Sequence, residues 1–313
     1  MANYRCTAAC RHCLYSCSPN RADGYITKTT AEAVCLLLRE AGCISIHIGG
    51  GEPFLDFDGL LMLVKTVADA GIKVEYIETN AFWAGDRQQA ENRLRGLARL
   101  GADTLCISID PFHAEYVPVD LPLSLAEICR GVGFGYFLWQ ERFYPILSRM
   151  DGSRAHTRSE LEKLISPRYI IEAARGYGLQ VGGRAISIEA EYSECLPVDA
   201  VVSNRPCSKL LSGDHFHVDL HGRYIPPGCT GIAIPLEYAV RGIPNIEYPV
   251  FETLLNGGTA GLMGYAENLG FVADPLGYPS SCTLCFHVRR WLCENSPSPE
   301  LDYEHYLEAM KYW

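Results

Sequence analysis

Residues 43–53 read CISIHIGGGEP: an apolar, β-branched run from Cys43 to Ile48, then Gly49-Gly50-Gly51, Glu52 and Pro53. A short apolar run closed by glycine and proline predicts a buried strand ending in a tight turn. Helical periodicity flanks it on both sides. Residues 31–41 (AEAVCLLLREA) predict a helix with Thr29 or Thr30 as N-cap, and residues 60–70 predict another, ended by Gly71. The alternation continues outward with a strand at 74–78, a helix at 87–100 stopped by Gly101, and a strand at 104–109 (TLCISI). Helical patterns then run through 159–177, and residues 180–188 read as a further strand. Repeated strand–helix units imply a parallel sheet with right-handed crossovers. The predicted fold class is therefore α/β, a partial (β/α)6 TIM-like barrel over residues 1–200.

In barrels of this kind the chemistry sits at the C-terminal ends of the strands. The unusual residues fall there. Gly50, Gly51 and Glu52 follow the first strand, Glu78-Thr79-Asn80 end the second, and Ser108-Ile109-Asp110 end the third. Arg184 lies in the later strand region. Residues 131–158 are rich in aromatics (FGYFLWQERFYP); they read either as core and surface or as a substrate-facing insertion. After residue 200, short strands and Pro/Gly turns dominate. His215–Leu220, a turn at His221-Gly222 and Arg223–Ile225 predict a hairpin in a small α+β domain spanning 201–313.

The chain is 48% hydrophobic, enough for a sizeable core, and its net charge of -10 argues against nucleic acid or an anionic membrane as partner. No apolar h-region opens the sequence, and no stretch of about 18 apolar residues occurs, so a cytoplasmic protein without a membrane span is expected.

Fourteen cysteines are the anomaly. Stable disulfides are not expected in a reducing compartment, where clustered cysteines bind metal and lone ones pack as small hydrophobes. Cys35, Cys43, Cys106 and Cys129 lie in apolar runs and read as core, while Cys195 stays unassigned. Cys6, Cys10, Cys13 and Cys17 open the chain; Cys207, Cys229, Cys282, Cys285 and Cys293 occupy its last third. Cys6-x3-Cys10-x2-Cys13 puts three soft thiolates on one loop, a set that selects iron–sulfur clusters, zinc or copper(I). A structural zinc site would take Cys17 as fourth ligand. A cubane would leave one iron open to a chelating small molecule. Cys282-x2-Cys285 has metal-ligand spacing as well, open to zinc or to a cluster.

The Cys6/Cys10/Cys13 triplet resembles the cluster loop of radical S-adenosylmethionine (SAM) enzymes, with His12 in the aromatic slot. Gly50-Gly51-Glu52-Pro53 resembles that family's GGE segment, Thr79-Asn80 its TN strand end, Ser108 and Asp110 its S-x-D strand end, and Gly182-Gly183-Arg184-Ala185 its GRA segment. The resemblance implies a [4Fe–4S] cluster on Cys6, Cys10 and Cys13, with SAM bound by Gly50, Gly51, Glu52, Thr79, Asn80, Ser108, Asp110 and Arg184. It also implies reductive cleavage of SAM, hydrogen abstraction from a substrate carbon, and an electron donor such as flavodoxin or ferredoxin. Only five residues precede Cys6, so either the first barrel strand is very short or the start codon is placed late.

Cys207, Cys229, Cys282 and Cys285 resemble a SPASM or twitch extension holding a second, auxiliary [4Fe–4S] cluster. Cys293 is a spare or an alternative ligand, and a zinc site on the same thiolates is the alternative. The nearest resemblance is to peptide-modifying members of the family, the YydF-type peptide epimerases. It rests on Ser16–Pro19, Gly50–Asp56, Asn80–Trp83, Asp110–Pro118 (with His113) and Cys282–Cys285. Those epimerases have two adjacent cysteines where this chain has Gly228-Cys229. Cys229 is thus a candidate hydrogen donor only at the expense of a ligand, unless Cys293 or another group fills in; Cys293 is the other candidate donor. The resemblance implies oxidative modification of a peptide. Chemistry on a small-molecule metabolite, epimerisation, and a zinc-binding protein without enzymatic activity are the alternatives.

Overall fold

The computed structural model describes residues 1–210, 213, 215–242 and 248–311. The chain divides into two compact units. One comprises Met1–Cys10, Cys17–Gly178 and Asp219–Gly222; the other comprises Arg11–Ser16, Leu179–Val218 and Arg223–Trp313.

The first unit is built on a parallel sheet of four strands, β1 (Ser45–Ile48), β2 (Lys73–Thr79), β3 (Thr104–Ser108) and β4 (Gly135–Trp139), adjacent in that order. Each strand lies beside its predecessor with no reversal of direction, so all C-terminal ends share one edge. Such an order suits a partial TIM-like barrel rather than a doubly wound sheet. The connecting helices are α1 (Lys28–Glu40), which precedes β1, α2 (Phe57–Asp69), α3 (Arg87–Arg99) and α4 (Asp120–Val132). Leu60, Val64, Leu94, Leu97, Leu125 and Ile128 on these helices are buried together with Ile77, Leu105 and Ile107 of the strands. Each such side chain contributes about 1.5–3 kcal/mol of transfer free energy.

Local signals set the boundaries. Asp56 and Asp86 cap α2 and α3 by accepting from the N–H groups of Gly59 and Gln89. Gly71 (φ +71°) and Gly101 (φ +93°) take the left-handed position after the helices, as expected of terminating glycines. The N-cap of α1 is Thr27, not Thr29 or Thr30, because Thr27 Oγ1 accepts from the Thr30 N–H and the helix starts three residues earlier than its apolar period. The predicted helix over 159–177 is two, α5 (Arg158–Leu164) and α6 (Tyr169–Tyr177). Cys35, Cys106 and Cys129 are buried as core residues, whereas Cys43 is only half-buried.

Two sequence expectations fail. β4 lies inside the aromatic stretch to which no element was assigned. Conversely, 180–188 is not a strand: Gly183 turns at φ +51°, Arg184 is the N-cap, and α7 (Ala185–Tyr192) follows. The parallel sheet therefore has four strands among the described residues, not six. Among the described residues no strand precedes β1, but residues 2–5 run along the chain leaving it. Ala2 N–H donates to the Gly49 carbonyl, and Gly51 and Glu52 N–H donate to the Asn3 and Arg5 carbonyls, at 2.8–3.0 Å.

The second unit contains α7, a small antiparallel sheet of β5 (His217–Val218), β6 (Arg223–Ile225) and β7 (Ile234–Pro235), and three helices, α8 (Pro249–Glu267), α9 (Ser281–Asn295) and α10 (Tyr303–Met310). The predicted hairpin is present as β5–β6, shorter than its sequence pattern. α8 kinks at Gly258 (φ +59°), where a Cβ would meet the Arg205 carbonyl oxygen at 2.2 Å. Among the described residues no helix is long and apolar enough to cross a membrane.

Candidate active site and cysteine cavity

The strand-end residues of the first unit converge on the start of the cysteine loop. Cys6 and Cys10 are buried. Asn80, just past β2, donates from Nδ2 to Thr7 Oγ1 (3.0 Å) and to Cys6 Sγ (3.6 Å). Cys6 Sγ also accepts from the Ala8 N–H at 3.4 Å. Tyr116 donates to the Ala9 carbonyl at 2.9 Å, fixing the loop between the two thiols.

Gly50 and Gly51 make room for this segment of the chain itself. A Cβ on Gly51 would stand 2.0 Å from the Arg5 carbonyl oxygen, and one on Gly50 (φ +156°) would stand 2.7 Å from that of Asn3. Glu52 is fully buried. Its Oε1 accepts from the Phe54 N–H (3.1 Å) and Thr79 Oγ1 (3.0 Å), and its Oε2 from the Asn80 N–H (2.8 Å). Glu52 thereby fastens the end of β1 to the end of β2. Burial raises its carboxyl to about 7, against the pull of the Asn80 and Phe54 N–H groups and the Thr79 hydroxyl. Thr79 Oγ1 in turn accepts from Trp83 Nε1 and the Ala81 N–H.

At the end of β3, Ser108 is half-buried and Asp110 fully buried. Asp110 Oδ1 caps the turn Pro111–Ala114 by accepting from the Phe112 and His113 N–H groups, while Oδ2 lies 2.7 Å from His113 Nδ1. Burial works against the His113 cation, but Asp110 and the hydrogen-bonded Cys10 thiol outweigh it and hold the imidazole well above its ordinary value. Asp110 thus orients a histidine onto the second cysteine of the loop.

Cys13, half-buried, and Arg184 belong to the second unit. The Arg184 N–H donates to the Cys13 carbonyl at 3.1 Å. A Cβ on Gly183 would meet the Leu14 and Cys13 carbonyl oxygens at 2.3 and 2.6 Å. The glycine pair 182–183 therefore receives the end of the cysteine loop, as 50–51 receives the residues leading into it, and the Arg184 side chain is buried. Thr230 Oγ1 adds a bond to the Leu14 carbonyl at 2.7 Å. The sequence showed these glycines as permissive backbone; it did not show which chain they admit.

The second unit holds a cavity of about 320 Å³. Cys207, Cys229, Cys282 and Cys285 all line it, together with Lys209 and Arg289. Cys282 lies in the first turn of α9 and Cys285 at the start of the second; the helix is capped by Ser280, whose Oγ accepts from the Thr283 N–H. A helix N-terminus favours thiolate over thiol. Burial acts oppositely, raising Cys229 and lifting Cys285 to about 12, with the Arg289 guanidinium counteracting both. Cys293 is buried on the same helix but lies outside the cavity lining. Eight residues beyond Cys285, it is about 12 Å further along the axis. Cys195 is exposed, and Cys17 is buried in the first unit.

Two comparisons bear on this geometry. Residues 3–138, rather less than half of the chain, match the family model described as Radical SAM superfamily. The chain is also similar to YydG of Bacillus subtilis (strain 168), a protein named for peptide biosynthesis, with 28% identity over 113 residues. That match covers 36% of this chain and 35% of the relative, about a third of each.

The donor sets fit the groups the family implies. Soft thiols at Cys6 and Cys10 suit an iron–sulfur cluster, and the cavity of the second unit places four further thiols beside the buried Arg289 guanidinium.

Proposed function

We propose that this protein is a radical SAM enzyme in which Cys6, Cys10 and Cys13 bind a [4Fe–4S] cluster, and Cys207, Cys229, Cys282 and Cys285 bind an auxiliary one in a twitch-like domain. When bound, the first cluster supplies the electron that splits SAM into methionine and a 5′-deoxyadenosyl radical, which removes hydrogen from a substrate carbon. The observation that carries the reading is the strand-end assembly around Cys6 and Cys10. Asn80 donates to Cys6, His113 contacts Cys10, and Glu52 and Asp110 hold those two residues in place. Glu52 and Asp110 then act through these partners, with their carboxylate oxygens committed to backbone N–H, Thr79 and His113. Arg184 and the Gly50-Gly51 backbone complete the candidate SAM contacts, with Ser108 at the neighbouring strand end.

The substrate we propose is a peptide, modified oxidatively; the likeness to YydG supports the substrate class. Cys207, Cys229, Cys282 and Cys285 would hold an auxiliary cluster whose chemistry would be to take up the electron left by oxidation, and a flavodoxin or ferredoxin would supply the priming electron. The test uses reconstituted protein with dithionite and SAM in deuterated buffer, offered candidate peptides. The expected result is 5′-deoxyadenosine together with a peptide lighter by hydrogen. Deuterium gained at a Cα with no net mass loss from oxidation would replace this reading with epimerisation. Turnover of a metabolite but of no peptide would replace the substrate class.

A further inference from the structure

Arg289 is not needed to account for the cysteine ligands, yet it is the least exposed cation lining their cavity. It is 4% exposed. Nη1 donates to the Thr230 carbonyl at 2.9 Å and Nε to the Cys285 carbonyl at 3.4 Å. Its guanidinium carbon lies 5.7 Å from the centre of the Tyr306 ring, and Tyr306 is anchored by donating to the Gly231 carbonyl at 3.0 Å. Among the described residues no carboxylate pairs with it. A guanidinium does not deprotonate in a protein, so its buried charge must be met by an anion. The titratable groups facing it are the Tyr306 phenol, itself donating to the Gly231 carbonyl, and the Cys229 and Cys285 thiols. The other cations of the cavity wall, Arg205 and Lys209, are exposed and half-exposed, and water screens them.

We propose that Arg289 is the fixed counter-charge of the auxiliary cluster and raises its reduction potential, poising it to take up an electron. The inference rests on the auxiliary-cluster reading above. Reduction adds one electron and no proton to a group that is already anionic with four thiolate ligands, so a buried positive charge favours the reduced form. In turnover the electron comes from the carbon radical on the substrate, which also sheds a proton as its new bond forms.

The experiment uses the full chain carrying Cys6→Ala, Cys10→Ala and Cys13→Ala, so that only the late cysteines bind iron. It is reconstituted with iron and sulfide, its iron counted, and its midpoint read by paramagnetic-resonance titration. About four iron atoms per chain are expected. Arg289→Gln and Arg289→Met each remove the charge, and Met keeps an unbranched stem in the space, so either can report if the other fails to fold. Both should shift the reduction equilibrium at least tenfold toward the oxidised form, a fall of about 59 mV for a one-electron couple. Arg289→Lys should stay within about threefold of the parent (about 28 mV). Neutral variants with full iron and an unchanged midpoint would overturn the role of Arg289 and leave the cluster standing. A lysine variant as shifted as the neutral ones would overturn the charge argument. A parent chain that takes up zinc and no iron would overturn the cluster reading and this inference with it.

Discussion

Replacing Gly51 by alanine tests whether the double glycine serves to admit the chain's own N-terminal segment. The new Cβ would lie 2.0 Å from the Arg5 carbonyl oxygen, 2.5 Å from its carbon and 2.8 Å from the Tyr4 carbonyl oxygen. These are backbone atoms, so no rotamer change relieves the clash, and the segment must withdraw by at least about 1 Å merely to leave the forbidden range. Withdrawal strains the Glu52 N–H to Arg5 and Gly51 N–H to Asn3 bonds, now 3.0 and 2.9 Å. Two backbone hydrogen bonds at about 0.5–1.5 kcal/mol each, plus about 1–3 kcal/mol of overpacking, give a loss of about 2–6 kcal/mol. Cys6 follows Arg5 directly, and a displacement of about 1 Å exceeds the ~0.5 Å tolerance of a functional constellation. Iron bound through the first cysteine set should fall by half or more, 5′-deoxyadenosine yield by at least tenfold, and the denaturation midpoint should drop. Gly71→Ala is the control: its φ of +71° is strained for alanine, but no atom lies within 4 Å of the new Cβ. It should cost about 1 kcal/mol and leave iron untouched. A Gly51→Ala protein with parental iron, yield and stability would refute the packing argument.

Glu52 gives a pH signature. Its folded value of about 7 lies above the ordinary 4.5, so the folded state holds this proton more tightly. Its contribution to stability is full below about pH 4.5 and is lost as pH rises through about 7, by about 3 kcal/mol in all. The unfolding free energy of the parent minus that of Glu52→Gln should fall between pH 5 and 7 and flatten above; a flat difference throughout would contradict the buried carboxyl. In the late cysteine set, Cys229→Ser or Cys285→Ser should lower iron by up to about four atoms per chain. Cys293→Ser, outside the cavity lining, should leave the iron count unchanged.

The strand ends of the first unit were legible because each strand is short, apolar and closed by its own turn residues. Ile48 to Glu52, Thr79-Asn80 and Ser108 to Asp110 carry that signal locally. β4 was not legible, since Gly135–Trp139 is half-exposed along its length and sits in an aromatic run without a strand's polar alternation. Residues 180–188 misled because Ile186-Ser187-Ile188 alternates like a strand. Packing of Gly182-Gly183 against Cys13 and Leu14 turns the chain instead, and a helix follows. The parts that Asn3, Arg5 and Tyr116 play were invisible for a related reason: the bonds to Gly51, Glu52 and Ala9 span 47 or more residues, and no short motif records such contacts. Arg289 had a faint trace, one turn beyond Cys285 on the same helix face.

The proposed function stands on SAM cleavage supported by Cys6, Cys10 and Cys13. The direct measurement is 5′-deoxyadenosine formed from SAM and dithionite by reconstituted protein, compared with the Cys6→Ala, Cys10→Ala, Cys13→Ala chain. The parent should produce it and the triple variant none, while the variant keeps the iron held by Cys207, Cys229, Cys282 and Cys285. Retained SAM cleavage in the triple variant would contradict the account.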